Sequence, residues 1–161
     1  MPRSRTTARI DLSCITPCQL AYAAGLFDGE GTVGIYETKN RARNGDPTVG
    51  WHYEVQIANT DIRVIAWLLE IVGGSSAKKS RSKEHWRQGY VWRLTGGNAA
   101  EFMGAIRPFT IIKSEQIDLA MKWRADHFRA TRRQTPEQLA AKRETAELLK
   151  RLKRVDHAER I

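Results

Sequence analysis

The sequence predicts an α+β domain in the order helix, strand, strand, helix, strand, strand, helix, with further helices behind it. Three observations predict it. Two pairs of segments carry apolar residues at every second position, helical periodicity separates and follows the pairs, and turn-forming residues mark the joints. A length of 161 residues fits one such domain and not two. We divide the chain into a basic N-terminal arm, 1–15, and a single domain, 16–161, whose C-terminal helical extension begins near 135.

Thr16-Pro17-Cys18-Gln19 is a helix start, because Thr16 can cap, Pro17 suits the first helical position and Gln19 completes a capping box. The helix is predicted over 17–28. Ala21 and Gly25 lie four apart and share a face that permits close helix packing, while Leu20, Ala23, Ala24 and Phe27 spread over another part. Gly29-Glu30-Gly31 ends it, since two glycines favour positive φ and chain reversal.

The first strand pair follows, with Val33 and Ile35 against Gly34, Tyr36 and Thr38, then a loop at 44–47. Trp51, Tyr53, Val55 and Ile57 alternate with His52, Glu54 and Gln56 beyond it. An amphipathic helix spans 61–72, with Ile62, Ile65, Ala66, Leu69 and Val72 at helical spacing, and Gly73-Gly74 stop it. The second strand pair covers about 75–81 and 86–95, the latter setting Trp86, Tyr90, Trp92 and Leu94 opposite Arg87, Gly89, Val91 and Arg93. A helix after Asn98 carries Phe102, Met103 and Ile106. Another begins near Ile111 beyond Pro108, and the last opens at the capped start Thr135-Pro136-Glu137-Gln138.

The formal charge is +9, from 27 Lys and Arg against 18 Asp and Glu, which points to a polyanionic partner. Charged residues interrupt every apolar stretch, so no membrane span is predicted. Cys14 and Cys18 have no zinc-spaced partners and make a poor disulfide framework, which suits a reducing compartment. His52, His85, His127 and His157 show no metal-ligand spacing either. The N-terminal arm lacks a secretory core; it reads equally as a transit peptide or as a phosphate-seeking arm.

With helices on one face, the sheet's other face is free for a partner and carries Tyr36, Thr38, Asn40, His52, Glu54, Gln56, Arg87 and Arg93. These side chains bind base edges and phosphates. The basic stretches 40–43 and 78–83 add Arg41, Arg43, Lys78 and Ser80 to the candidate nucleic-acid contacts. Gly29-x-Gly31-x-x-Gly34 has the letters of a dinucleotide fingerprint, but it follows a helix and opens a strand, the reverse of what that motif needs. Asp28 and Glu30 carry the chemistry instead. They sit at a helix C-terminus, where the macrodipole disfavours negative charge, and two acids on that turn suit a hard divalent cation such as magnesium.

Ala23-Ala24-Gly25-Leu26-Phe27-Asp28-Gly29-Glu30-Gly31 resembles the nine-residue signature of the LAGLIDADG homing endonucleases. It departs from that signature at Ala23 for Leu, Phe27 for Ile, Gly29 for Ala and Glu30 for the second Asp. The predicted element order over roughly 16–125 is similar to that family's α-β-β-α-β-β-α core, whose antiparallel sheet forms a saddle on DNA.

The resemblance implies a metal site at the Glu30 carboxylate and the Gly29 carbonyl, with magnesium as cofactor and manganese or calcium as stand-ins for binding. It implies further catalytic residues at Asn59, ending the second strand, Arg63, starting the next helix, and Lys113, after the Pro108-Phe109 turn. A single copy of the motif implies a homodimer formed through Ala21 and Gly25, acting on a palindromic or near-palindromic double-stranded DNA site and leaving short 3′ overhangs. An intron-encoded enzyme in the bacterial cytoplasm or an organelle is the setting so implied. The alternative is the same fold without cleavage, as an intron maturase that takes its own intron RNA or as a DNA-binding regulator.

Overall fold

The computed structural model describes residues 8–41, 44–80, 85–127 and 134–154. The elements are α1 (Pro17–Glu30), β1 (Gly31–Arg41), β2 (Pro47–Asn59), α2 (Ile62–Ile71), β3 (Ser75–Lys78), β4 (Tyr90–Thr95), α3 (Gly96–Ile106), a 3₁₀ turn (Arg107–Phe109), α4 (Ser114–His127) and α5 (Pro136–Leu152). This is the predicted order. The four strands form one antiparallel sheet in the order β1-β2-β4-β3.

Both capping boxes form. Gln19 N–H donates to the Thr16 hydroxyl at 3.3 Å and Gln138 N–H to that of Thr135 at 3.2 Å, while each glutamine side chain accepts from the cap backbone. At the other end of α1 the sequence expectation is corrected. The helix runs through Gly29 to Glu30, and Gly31 is extended (φ −82°, ψ 157°) with no chain reversal. Glycine is needed at 31 for space: an added Cβ would collide with the Phe27 ring and lie 2.5 Å from the Phe27 carbonyl oxygen. Helix therefore passes into strand without a loop, and whatever ends α1 is fixed rigidly to β1.

Alternation assigns the sheet's faces. Val33, Ile35, Tyr53, Val55, Ile57, Trp92 and Leu94 are buried under the helices. Phe27 of α1 and Trp92 of β4 are both fully buried in this core, each contributing roughly 1.5–3 kcal/mol of apolar transfer. Trp92 also donates its indole N–H to the Gly73 carbonyl at 2.7 Å, and that carbonyl is in place because Gly73 and Gly74 take positive φ (85° and 96°). Ala23, Ala24 and Phe27 of α1 face the core, and Ala21 and Gly25 face solvent, as their spacing predicts.

Three further expectations change. On α2 the buried residues are Ile65 and Leu68, joined by Val72 just past its end, while Ile62 is exposed. The second strand pair is shorter than predicted: its register ends at Lys78–Tyr90, and Gln88 closes the loop with side-chain bonds to the Lys79 and Gly89 carbonyls. Trp86 and Arg87 thus lie outside the strand, and Trp86 is exposed. Finally, α3 begins before Asn98. This residue is buried, donating to the Ala8 carbonyl (2.8 Å) and accepting from Ile10 N–H (3.3 Å), so residues 8–10 of the predicted arm are tied to the domain.

Candidate nucleic-acid interface and metal site

The last turn of α1 holds two carboxylates with different surroundings. Asp28 accepts backbone N–H groups of Ile111 (2.8 Å) and Lys113 (3.0 Å), fixing the turn that leads into α4. Lys113 returns the contact: its ammonium donates to the carbonyls of Phe27 (2.9 Å) and Gly31 (2.8 Å) and stands 5.6 Å from the Phe27 ring centroid. A cation there satisfies two main-chain acceptors at the negative end of the helix. Burial lowers the Lys113 pKa, and the charges of Asp28 and Glu30 oppose that shift. Glu30 is exposed, and among the described residues it has no hydrogen bond or ion pair.

Asn59 and Arg63 frame the start of α2. The Asn59 side-chain oxygen accepts from Asp61 N–H at 2.8 Å. Asp61 caps the helix through Arg63 N–H (2.9 Å) and clasps the Arg63 guanidinium (2.5–3.1 Å), which holds its carboxyl down at about 2. The Arg63 side chain is 87% exposed and extends into solvent. Of the residues predicted to act together, the structure brings Lys113 to the α1 terminus beside Glu30, whereas Asn59 and Arg63 both hydrogen-bond to Asp61.

Among the described residues no three His, Cys, Asp or Glu side chains cluster as a metal cage. The donor set fits magnesium in another way. This ion keeps several waters and takes one or two carboxylates together with substrate phosphates. Glu30 is such a carboxylate, and Gly29 beside it is exposed with no atom within 4 Å of where a Cβ would stand.

The outer face of the sheet carries Thr38, Asn40, Tyr36, His52, Glu54, Gln56 and Arg93, as the alternation predicts. Tyr36 pairs with His52 across the strands and stacks on it (6.5 Å, 23°), and Gln56 pairs with Arg93. Glu54 is nearly buried between them. Gly50 makes room for Thr38 and Asn40: a Cβ there would lie 2.7 Å from the Thr38 hydroxyl and collide with the Asn40 amide. Strand parity sets Arg41 with Glu37 and Lys39, and Lys78 with Trp92, so these two cations belong to the opposite side of the sheet ends. Ser80 and Arg87 follow the ladder's end in exposed loop, and Arg43 lies outside the described residues.

Two features were not legible in the sequence. Lys153, just beyond α5, is partly desolvated, which lowers its pKa, and it feels the charges of Glu54 and Lys113. An apolar surface also continues past Ala21 and Gly25. Tyr22 packs edge-on against Trp67 (4.9 Å), and Ile111, next to the α1 terminus, is 84% exposed.

No protein-family model and no curated protein matches the chain. Solved structures do. The homing endonuclease I-CvuI, crystallised on the I-CreI target with magnesium and uncleaved DNA, is similar with a TM-score of 0.65 at 14% identity, over 84% of this chain and 82% of that one. The archaeal intron-encoded homing endonuclease I-Vdi141I, complexed with DNA, gives 0.64 at 16% identity over 84% of each. The I-SmaMI LAGLIDADG homing endonuclease, bound to cleaved DNA, gives 0.53 at 16% identity, over 79% of this chain and 42% of that one. At such identities the likeness fixes the fold.

Proposed function

We propose that this chain, which has the fold of the LAGLIDADG homing endonucleases, is a site-specific DNA endonuclease that hydrolyses both strands of its target as a homodimer. The observation that carries the reading is Glu30: an exposed carboxylate, without a partner among the described residues, at the unfavourable end of a helix that runs straight into a polar sheet face on a chain of net charge +9. Stability alone favours a cation at that position, so the acid is kept for what it binds.

Glu30 and the Gly29 carbonyl would hold magnesium, with manganese or calcium able to replace it in binding. When bound, the ion polarises the scissile phosphate and lowers the pKa of a water. Lys113, its ammonium anchored on the Phe27 and Gly31 carbonyls, offsets charge that builds on the phosphate. Arg63, whose exposed guanidinium is shared with Asp61, adds a second cation, and Asn59 orients water at the end of β2. Thr38, Asn40, Tyr36, His52, Gln56 and Arg93 read bases, while the exposed loop residues Ser80 and Arg87 follow phosphates beyond the sheet's end.

One Glu30 serves one strand, so two chains are needed. The small exposed face at Ala21 and Gly25, together with Tyr22 and Ile111, supports an α1-to-α1 dimer with both Glu30 side chains over the DNA centre. Twofold symmetry then calls for a palindromic or near-palindromic site, with short 3′ overhangs. An intracellular, reducing compartment that holds DNA suits the exposed free thiols Cys14 and Cys18, and among the described residues no helix is long and apolar enough to cross a membrane.

The test is a selection for cleaved molecules from a randomised DNA library with magnesium, run with wild type and Glu30→Gln. Enrichment of a palindrome-like site by the wild type alone supports the nuclease. If neither cuts and both capture the same DNA, the protein is a binder on this fold; capture of intron RNA instead marks a maturase.

A further inference from the structure

The outer sheet face contains one acid in a surface otherwise suited to a polyanion. Glu54 points from β2 toward the side where DNA would lie, yet its side chain is only 7% exposed. Both of its oxygens are used. Oε2 meets His52 Nε2 at 2.8 Å and Arg93 Nε at 3.4 Å, and Oε1 accepts from the Gln56 amide. Strand neighbours close the remaining sides. Gly34 lies opposite Glu54 on β1, and the Tyr36 ring folds back over that glycine so closely that a Cβ there would collide with the ring edge and lie 2.5 Å from the hydroxyl oxygen. Tyr36 in turn stacks on His52, and its hydroxyl is pushed up in pKa by burial first and by the Glu54 charge second. Thr95 of β4 faces Glu54 from the other side.

Resting on the endonuclease reading above, we propose that Glu54 is a positioning residue for recognition: it contacts no base, and its carboxylate fixes the orientations in which His52, Gln56 and Arg93 meet the DNA. The chemistry favours this over a direct contact. A carboxylate that reads a base accepts from cytosine N4 and must reach into the groove, whereas this one is enclosed, hydrogen-bonded to His52 and Gln56 and ion-paired with Arg93. A lone acid facing phosphates also weakens binding, so its retention needs a gain in selectivity. Three flexible side chains held by one acid lose their alternative rotamers before DNA arrives, which sharpens discrimination at several base positions together.

The experiment is a binding selection from a randomised DNA library in calcium with wild type, Glu54→Gln and Glu54→Asp, each checked for folding by thermal melting. Glu54→Gln removes the charge that holds Arg93 and keeps only one acceptor oxygen for the three neighbours, so the cluster loosens. Discrimination is expected to relax by about five- to hundredfold at two or more positions of each half-site, the range of good base contacts, while binding to unrelated DNA tightens. Glu54→Asp keeps the charge on an arm one methylene shorter. It should relax the same positions without the gain on unrelated DNA, and it answers the question if the Gln variant does not fold. A change confined to one base position means that Glu54 itself reads a base and overturns the proposal, as does an unchanged profile in folded variants. Failure of the endonuclease reading shows separately, in a wild type with no site preference.

Discussion

Asp28 and Glu30 are two residues apart on one helical turn, and their carboxylates have opposite fates. The side of α1 that carries Asp28 faces the protein: its acid bonds two backbone N–H groups and shapes the turn before Lys113. The side that carries Glu30 faces outward and leaves its acid without a partner among the described residues. Both suffer the same dipole, so helix position alone does not distinguish a structural acid from a functional one. What distinguishes them is whether the rest of the chain supplies donors.

Glu30→Gln is the strongest way to break this contrast. We expect cleavage to fall by about a thousandfold or more, the scale of losing a main electrostatic element of a phosphoryl-transfer site. Stability should move the other way, rising by a few tenths of a kcal/mol as a negative charge leaves the helix C-terminus. Single-turnover cleavage and urea unfolding on the same preparations check both signs. A variant that loses activity because it unfolds would contradict the assignment.

Lys113→Met comes next. It removes the cation between the two sides, leaving the Phe27 and Gly31 carbonyls without their donor. A fall of about a hundredfold in cleavage is expected, within the range for one preorganised group, alongside a measurable loss of stability. The alkaline limb isolates the lysine. Burial lowers the Lys113 pKa below its usual 10.5, so between the lowered value and 10.5 the unfolded chain holds more protons and stability rises with pH. Urea midpoints compared between wild type and the variant should show that part of the rise absent from Lys113→Met.

Asp28→Ala tests the inward side. Removing a charged acceptor of two backbone N–H groups should cost about 2 kcal/mol, read as a drop of roughly 4–8 °C in the melting temperature. Cleavage should fall only as far as Lys113 is displaced. Should Asp28→Ala melt like wild type yet lose all activity, the two acids would have to exchange roles.

The sequence made the elements legible because each carried a local signal: the Thr16 and Thr135 boxes, the Gly73-Gly74 stop and the period-two rows of β1 and β2. It also placed Glu30, since an acid at a helix C-terminus opposes a local rule. Contacts between distant segments were not legible. Asp28 finds Ile111 and Lys113 more than eighty positions away, and Asn98 finds Ala8. The second hairpin is shorter than its pattern suggests for a related reason: alternation at 86–89 continues past the point where Gln88 takes over the carbonyls of Lys79 and Gly89. Glycine at 31 was assigned to a turn when the determinant was the bulk of Phe27.

A third acid sharpens the comparison by standing at the favourable end of a helix. Asp61 caps α2 and pairs with Arg63, and that guanidinium, followed by the Arg63 backbone N–H, holds its carboxyl at about 2 instead of the usual 3.8. A depressed carboxylate stabilises the fold above its unfolded value, and that contribution disappears as pH falls from 3.8 through about 2. Asp61→Asn lacks this component, so its deficit relative to wild type in urea unfolding should be largest above pH 4 and should shrink steadily toward pH 2. A deficit independent of pH would mean that the cap acts through shape alone. The effect is the smallest of the set because the pair is exposed to solvent, where screening leaves such contacts weak. At neutral pH the same variant releases Arg63 from its partner, so any change in cleavage reports how far that clasp withholds the arginine from phosphate.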